Sequence, residues 1–295
     1  MTHRATLHCT RAQAEAAPEL ELDWPAESPP VLVADEPDPA QPDAWLIHAY
    51  FDHQPLPGEL HLLRTLGTSE PAVETLPEAD WVTMSQAGLE PIRAGRFFVH
   101  TPAYRTHPPG LIALEIDAGL AFGTGQHATT AGCLGALDEL EREGMRFAEI
   151  ADIGTGTGLL AFAALKLWPE ARCIATDIDP VAVEVCRDNA AINAVALGDG
   201  GGELLLAVAD GMGSPELTAR APYNLLIANI LAGPLIELAP AFTAALAPGG
   251  VVMLAGLLDT QAEAVARAYE ACGLTRARRH PGEWPVILLR RPPHP

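Results

Sequence analysis

Short strand-like runs alternate with longer helix-like runs from Leu111 to the end of the chain, and this alternation restricts the fold more than any other feature. The strand-like runs read EIADI, RCIATDI, LLLAVAD, NLLIANI and VVMLAGL. Apolar strands separated by helices are typical of βα units, in which helices cover both faces of a parallel sheet. The sequence therefore predicts a doubly wound α/β domain over residues 111–295.

The first part of the chain has a different texture. Proline-rich breaks accompany two strand-like runs, VLVA and AWLIHAYF, and a helical run follows them. Short elements divided by turn-forming residues favour a small α+β domain, which we place at residues 1–80. Residues 81–110 are expected to connect the two domains and to contain one strand, Arg96–His100.

The charge balance restricts the partners. The chain carries 38 acidic and 18 basic residues, which gives a formal net charge of -20. A surface that binds nucleic acid needs clustered positive charge, and the sequence has no such run, so direct nucleic-acid binding is not expected. An acidic protein is suited to a basic protein partner, although surplus acid also serves solubility alone.

The cysteines and the apolar runs indicate the compartment. Five cysteines are scattered along the chain without a C-x-x-C pair. This spacing argues against a disulfide framework or a zinc site, and we expect no metal. The sequence has neither an apolar run of membrane-spanning length nor the pattern of a signal peptide at its start. We therefore expect a cytoplasmic protein with no membrane partner.

A glycine-rich segment, DIGTGTG at 152–158, follows one of these strands and precedes a helix. Glycines allow a tight turn and let the backbone approach a ligand, so Gly154 and Gly156 are candidate cofactor-binding residues. The G-x-G-x-G spacing differs from the G-x-G-x-x-G of nicotinamide and flavin binders. Asp152, before the first glycine, suits a ligand with an amino-acid ammonium. It could instead cap the amides of the loop.

Asp177 and Asp210 are two further acids, and each lies at the end of a strand-like run. Asp177 lies where its carboxylate would accept two hydrogen bonds from a ribose diol, and we assign it to cofactor binding. Asp179 precedes a proline, and this pair predicts a helix N-cap rather than a ligand contact. Asp210 could accept a hydrogen bond from the exocyclic amine of an adenine, or serve as an ordinary loop acid.

Polar residues also flank two other segments. Asn229 ends the strongly apolar strand before ILAGP, where its carbonyl could orient a nucleophilic amine; the alternative is a helix cap. In the segment GLAFGTGQHATT, glycines surround Phe122, which suggests a hinged loop able to fold over a ligand. Thr130 would open the following helix with its hydroxyl available to a ligand or as a cap. His127 is expected to be an ordinary loop histidine.

Together these segments resemble the class I S-adenosylmethionine-dependent methyltransferases, and in particular the PrmA family, which modifies large-subunit ribosomal protein eleven. The resemblance spans most of residues 81–295. It is carried by EIDAGLAFGTGQHATT, DIGTGTGLLAFAALKL, DIDPVAVEVCRDNAAINAV, ANILAGPLIELAP and GEWPVILLRR. Residues 1–80 match more weakly.

The resemblance implies a seven-stranded Rossmann-like sheet with an antiparallel last strand, formed by a hairpin of 274–280 and 284–290. It implies that S-adenosylmethionine is held by Thr130, Gly154, Asp177 and Asn229. The family transfers methyl groups to lysine ε-amines and an N-terminal α-amine of ribosomal protein eleven, which its smaller N-terminal domain recruits. We therefore expect Asn229 and Phe122 to form the catalytic part of the site.

Other functions remain open at this point. The chain could be a methyltransferase of another protein substrate, although the glutamine-modifying relatives carry N-P-P-Y where this chain has NILA from Asn229. It could also be a non-catalytic adenosyl-binding factor associated with the ribosome, because binding residues do not prove turnover. Charge disfavours an RNA methyltransferase, and glycine spacing disfavours a nicotinamide-dependent oxidoreductase.

Overall fold

The chain divides into two compact units, Met1–Ser85 and Gln86–Pro295. The computed structural model describes residues 2–16, 24–25, 29–35, 45–76, 91–102, 104, 108–117 and 128–293. Within these residues, no helix combines the length and the apolar character that a membrane crossing requires.

The described residues of the first unit form a four-stranded antiparallel sheet and two helices. Its elements are β1 (Thr2–Cys9), α1 (Arg11–Ala16), β2 (Val31–Asp35), β3 (Trp45–Phe51), α2 (Pro57–Arg64) and β4 (Ala72–Leu76). The strand order is β2-β3-β1-β4, the arrangement of a split βαβ fold. Alternate residues of the two central strands form the core, among them Leu7, Ile47 and Phe51, each no more than 1% exposed. This α+β architecture agrees with the sequence pattern.

A buried carboxylate sets the start of α2. Glu59 is fully buried, and its Oε2 accepts a hydrogen bond from the backbone N–H of Leu56 at 2.7 Å. The same carboxylate lies 3.0 Å from Nε2 of His53, whose Nδ1 lies 2.6 Å from Asp52. Hydrogen bonds to Asp52 and Glu59 raise the pKa of His53.

The second unit begins with a small sheet that the sequence predicted only in part. Its strands are β5 (Ile92–Ala94), β6 (Phe97–His100) and β7 (Ile112–Glu115). The segment predicted as a connection with one strand thus contributes two, which pair with each other and then with β7. Gly95 allows the tight turn between them with a φ of +56°. Arg96 then pairs with Asp138 and Glu141 of the helix α3 (Ala128–Arg142).

The large sheet carries the rest of the unit. Its strands are β8 (Glu149–Ile153), β9 (Arg172–Asp177), β10 (Ala196–Leu197), β11 (Glu203–Val208), β12 (Tyr223–Asn229), β13 (Leu246–Ala255), β14 (Thr275–His280) and β15 (Val286–Arg290). The order is β10-β11-β9-β8-β12-β13-β15-β14, and β15 runs antiparallel to both of its neighbours. The antiparallel last strand is confirmed. The count is eight rather than seven because Ala196 and Leu197 form a two-residue ladder at one edge.

Helices cover both faces of this sheet, as the alternation predicted. They are α4 (Leu159–Leu167), α5 (Pro180–Ile192), α6 (Pro215–Arg220), α7 (Ala232–Ala245) and α8 (Asp259–Ala271), together with α3. Successive residues of β12 point to opposite faces. Leu225 and Ile227 pack in the cluster with α3 and α4, whereas Leu226 and Ala228 pack in the cluster with α7 and α8. Burial on both faces explains why the strands are nearly continuous apolar runs.

Candidate functional site

The strand order reverses between β8 and β12. From β8 the chain builds one side of the sheet through β9 and β11, and then returns to the other side with β12 and β13. Open α/β sheets bind ligands at the carboxyl ends of the strands beside such a reversal. Most of the predicted site residues lie at these strand ends.

The glycine-rich loop follows β8 directly. Gly154 has a φ of +73°, and a Cβ added there would lie 2.3 Å from Cγ2 of Ile230. The amides of Gly154 and Thr155 both donate to the carbonyl of Thr176, at 2.8 and 2.9 Å. The amide of Gly156 donates to Oδ2 of Asp177 at 2.9 Å. These three N–H groups are bonded within the protein, so the loop does not offer them to a phosphate.

Asp152 lies beneath this loop. It is 1% exposed, and its Oδ2 accepts a hydrogen bond from Oγ1 of Thr155 at 2.7 Å. Burial raises the pKa of Asp152 to about 7, and the nearby charge of Asp177 adds to the effect. A buried carboxylate with a raised pKa favours a cation nearby, because the cation stabilises the ionised form.

Asp177 is already held by the backbone. Its Oδ1 accepts from the amide of Asp179 at 3.1 Å, in addition to the bond from Gly156. The predicted N-cap at Asp179 is confirmed, because its Oδ1 accepts from Val181 N at 2.8 Å. Ile178 is 66% exposed beside these acids. Sequence reasoning missed this exposed side chain, which offers an apolar surface next to a carboxylate.

Asn229 and Thr130 meet although 99 residues separate them. Asn229 ends β12 and is partly buried, and Thr130 is 3% exposed in the first turn of α3. Nδ2 of Asn229 lies 3.5 Å from Oγ1 of Thr130, at the outer limit of a hydrogen bond. The alternative role of Asn229 as a helix cap is wrong, because Leu231 occupies the N-cap of α7.

Two predicted site residues remain, and the structure describes one of them. Asp210 is exposed on the loop after β11, the strand that pairs with the end of β9 at Asp177. Phe122 lies outside the described residues. Among the residues that the structure does describe, no group of three or more His, Cys, Asp or Glu side chains could hold a metal ion.

Asn189 on α5 is a second residue that sequence reasoning missed. It is fully buried, on the helix face that also buries Val183 and Cys186. Its Nδ2 donates to the carbonyl of Thr157 in the glycine-rich loop at 3.2 Å. An asparagine at an apolar helical position was the available signal.

Comparison with known proteins gives consistent results. A family model described as ribosomal protein L11 methyltransferase (PrmA) matches residues 28–292. The ribosomal protein L11 methyltransferase of Brucella melitensis biotype 2 is 50% identical over 220 residues, 74% of each chain. The protein of the same name from Rhizobium meliloti is 48% identical over 220 residues, 74% of this chain and 73% of its own.

A solved structure agrees with the sequence matches. The crystal structure of ribosomal protein L11 methylase from Lactobacillus delbrueckii subsp. bulgaricus superposes with a TM-score of 0.60 at 25% sequence identity. The match covers 69% of this chain and all of that one.

Proposed function

The chain belongs to the ribosomal protein L11 methyltransferase family, and we propose that it transfers methyl groups from S-adenosylmethionine to amino groups of ribosomal protein L11. The observation that carries the proposal is the meeting of Asn229 and Thr130 at the same sheet edge as the glycine-rich loop and Asp177. Because the proposed substrate is a ribosomal protein, we also propose that the enzyme acts in the cytoplasm.

The chemistry of the described residues fits S-adenosylmethionine. An added Cβ at Gly154 would clash with Cγ2 of Ile230, and the bare glycine backbone suits the close approach of a ligand. Asp177 retains acceptor capacity for two ribose hydroxyls beyond its backbone bonds. Exposed Ile178 offers a surface for the adenine, and buried Asp152 offers negative charge to a cationic ligand.

The protein must orient a neutral amine. S-adenosylmethionine supplies the methyl group from a sulfonium, and the amine nitrogen displaces the thioether in line. A lysine with a pKa near 10.4 loses its proton at pH 7 at a cost of ~5 kcal/mol, against ~1 kcal/mol for an N-terminal amine. Desolvation next to a cation lowers this cost because it disfavours the ammonium.

Asn229 is the described side chain best placed to orient that amine. Its carbonyl oxygen can accept from the nucleophile, since the amide nitrogen is directed towards Thr130. It does not titrate, so we assign catalysis to positioning and desolvation rather than to a general base. We assign Phe122 to the cover over the amine, and Asp210 to the adenine amine.

The N-terminal unit is assigned to substrate recruitment. We keep the division predicted from the sequence, with recruitment at residues 1–80, a connection at 81–110 and catalysis at 111–295. An acidic chain is suited to attract a basic ribosomal protein, because complementary charge speeds encounter. We propose that the substrate is bound either free or on the ribosome and without direct contact to nucleic acid, and that no metal takes part.

Mass spectrometry tests the function. Purified, unmethylated ribosomal protein L11 is incubated with S-adenosylmethionine and either the wild-type protein or its Asn229→Ala variant. We expect mass increments of whole methyl groups with the wild type and at least a tenfold loss of turnover in the variant. Cofactor affinity, measured by calorimetry, should fall much less than turnover.

Three other outcomes would count against the proposal. Cofactor binding without any mass gain would favour another protein substrate or a non-catalytic adenosyl-binding factor. Unchanged turnover in Asn229→Ala would remove that residue from the catalytic site. No cofactor binding by the wild type would refute the assignment of the glycine-rich loop.

A further inference from the structure

The side chains of Asn189 in α5 and of Asn193 at its C-cap bind backbone groups of the chain at the end of β7. Oδ1 of Asn193 accepts from the amide of Glu115 at 2.9 Å, and its Nδ2 donates to the carbonyl of Glu115 at 2.7 Å. Asn189 binds Asp117 in the same way, at 2.9 and 3.2 Å. A side-chain amide carries the same donor and acceptor as a peptide group, so each asparagine acts as a neighbouring strand would.

The spacing of the two elements makes this pairing possible. Residues four apart on a helix lie on one face at about 5–6 Å, and residues two apart on a strand present the same edge at about 6.6 Å. On the opposite edge, the amide of Ile116 donates to the carbonyl of His100 in β6 at 2.9 Å. The backbone around Asp117 is therefore held from both sides.

Asn189 makes one contact that distinguishes it from Asn193. Its Nδ2 also donates to the carbonyl of Thr157, between Gly156 and Gly158. The remaining described bond of the Asn193 side chain goes instead to the carbonyl of Asn189 at 2.8 Å. One fully buried amide therefore joins the glycine-rich loop, the helix that follows Asp177, and the end of β7.

We propose that Asn189 is a positioning residue for S-adenosylmethionine binding. It fixes the glycine-rich loop against Asp117, from which the chain continues towards Thr130. It acts through Thr157 and Asp117 and touches neither the cofactor nor the amine. This inference rests on the function proposed above, since it assigns cofactor binding to the glycine-rich loop.

Calorimetric titration with S-adenosylmethionine tests the proposal with a matched pair of variants. Each variant removes a side-chain amide that binds the N–H and the carbonyl of one residue: Asn189→Ala removes the bonds to Asp117, and Asn193→Ala removes those to Glu115. Both are expected to lower the Tm by similar amounts. Asn189→Ala should raise the Kd and the KM for S-adenosylmethionine at least tenfold, with kcat changed less than twofold. Asn193→Ala should change the Kd less than twofold.

Asn189→Asp covers the case in which Asn189→Ala does not fold. The aspartate keeps an acceptor for the amide of Asp117 but loses the donor to the carbonyls of both Asp117 and Thr157, so the same rise in Kd is expected. Equal changes of Kd in the Asn189 and Asn193 variants would overturn the proposal and leave a purely structural role. A wild-type protein that does not bind S-adenosylmethionine would instead refute the proposed function, and this inference with it.

Discussion

Replacing Asp152 with asparagine should change how both stability and cofactor affinity depend on pH. Burial raises the pKa of this carboxyl from 3.8 to about 7 in the folded protein. At about 1.36 kcal/mol per pKa unit, ionised Asp152 costs the ligand-free fold about 4 kcal/mol well above pH 7. Since the folded pKa is the higher one, the folded state binds the proton more tightly, and stability falls as pH rises through this window.

The assay compares urea unfolding of the two proteins at pH 5.5 and pH 8, away from the isoelectric point near 4.7. About half of the total cost, roughly 2 kcal/mol, develops between these two pH values. The free energy of unfolding of the wild type should therefore fall by roughly that amount relative to Asp152→Asn, which has no charge to bury. Comparing the two proteins cancels the contributions of the other titrating groups.

Cofactor binding should respond to pH in the opposite direction. A cationic ligand favours the ionised carboxylate, so wild-type affinity for S-adenosylmethionine should increase from pH 5.5 to 8. The affinity of Asp152→Asn should show a weaker pH dependence. Equal pH slopes of stability in both proteins would refute the raised pKa. Equal slopes of affinity would refute the coupling of Asp152 to the bound cation.

Two further predictions concern one residue in each unit. Gly154→Ala should lower the free energy of unfolding by about 1–3 kcal/mol and abolish measurable cofactor binding, because the new Cβ would clash with Ile230 at a positive φ. Gly233→Ala on α7 is the matched control, because its new Cβ would meet open space. Equal effects of the two changes on stability and binding would contradict this argument. Because the folded pKa of His53 is raised, its contribution to stability is complete below its unfolded pKa near 6.5 and is lost as pH rises through the folded value. His53→Gln should remove that part of the pH dependence in thermal unfolding, and an unchanged profile would contradict the assignment.

The sequence was sufficient to predict the elements whose structure depends on residues close together in the chain. Continuous apolar runs identified the parallel strands because both faces of each strand are buried. The Asp179-Pro180 pair identified the start of α5, since the cap bond and the proline geometry are local. The strand-end positions of Asp177 and Asn229 followed from the same pattern.

Features that depend on contacts between distant segments were not accessible in this way. The glycine pattern predicts a tight turn but not the partners of its amides, three of which donate to the carbonyl of Thr176 and the carboxylate of Asp177. Asn189 was not among the predicted site residues, because its partners Asp117 and Thr157 are remote from it in the sequence. The pairing of Arg96 with Asp138 and Glu141 of α3 also joins residues that are 42 and 45 positions apart, and no local pattern predicts it.

The two edge strands of the large sheet, β10 and β14, affect how readily the protein aggregates at high concentration. Unpaired strand edges invite other chains to add a strand, and long flat edges carry the greatest risk of aggregation. One edge here is β10, only two residues long. The other is β14, where the register shifts between Arg276 and Arg278 and the arginine side chains bind carboxylates of α3 and α8. Shortness limits strand addition at one edge, and a bulge with bulky charged side chains limits it at the other, so neither end strand of the described sheet offers a long flat edge to another chain.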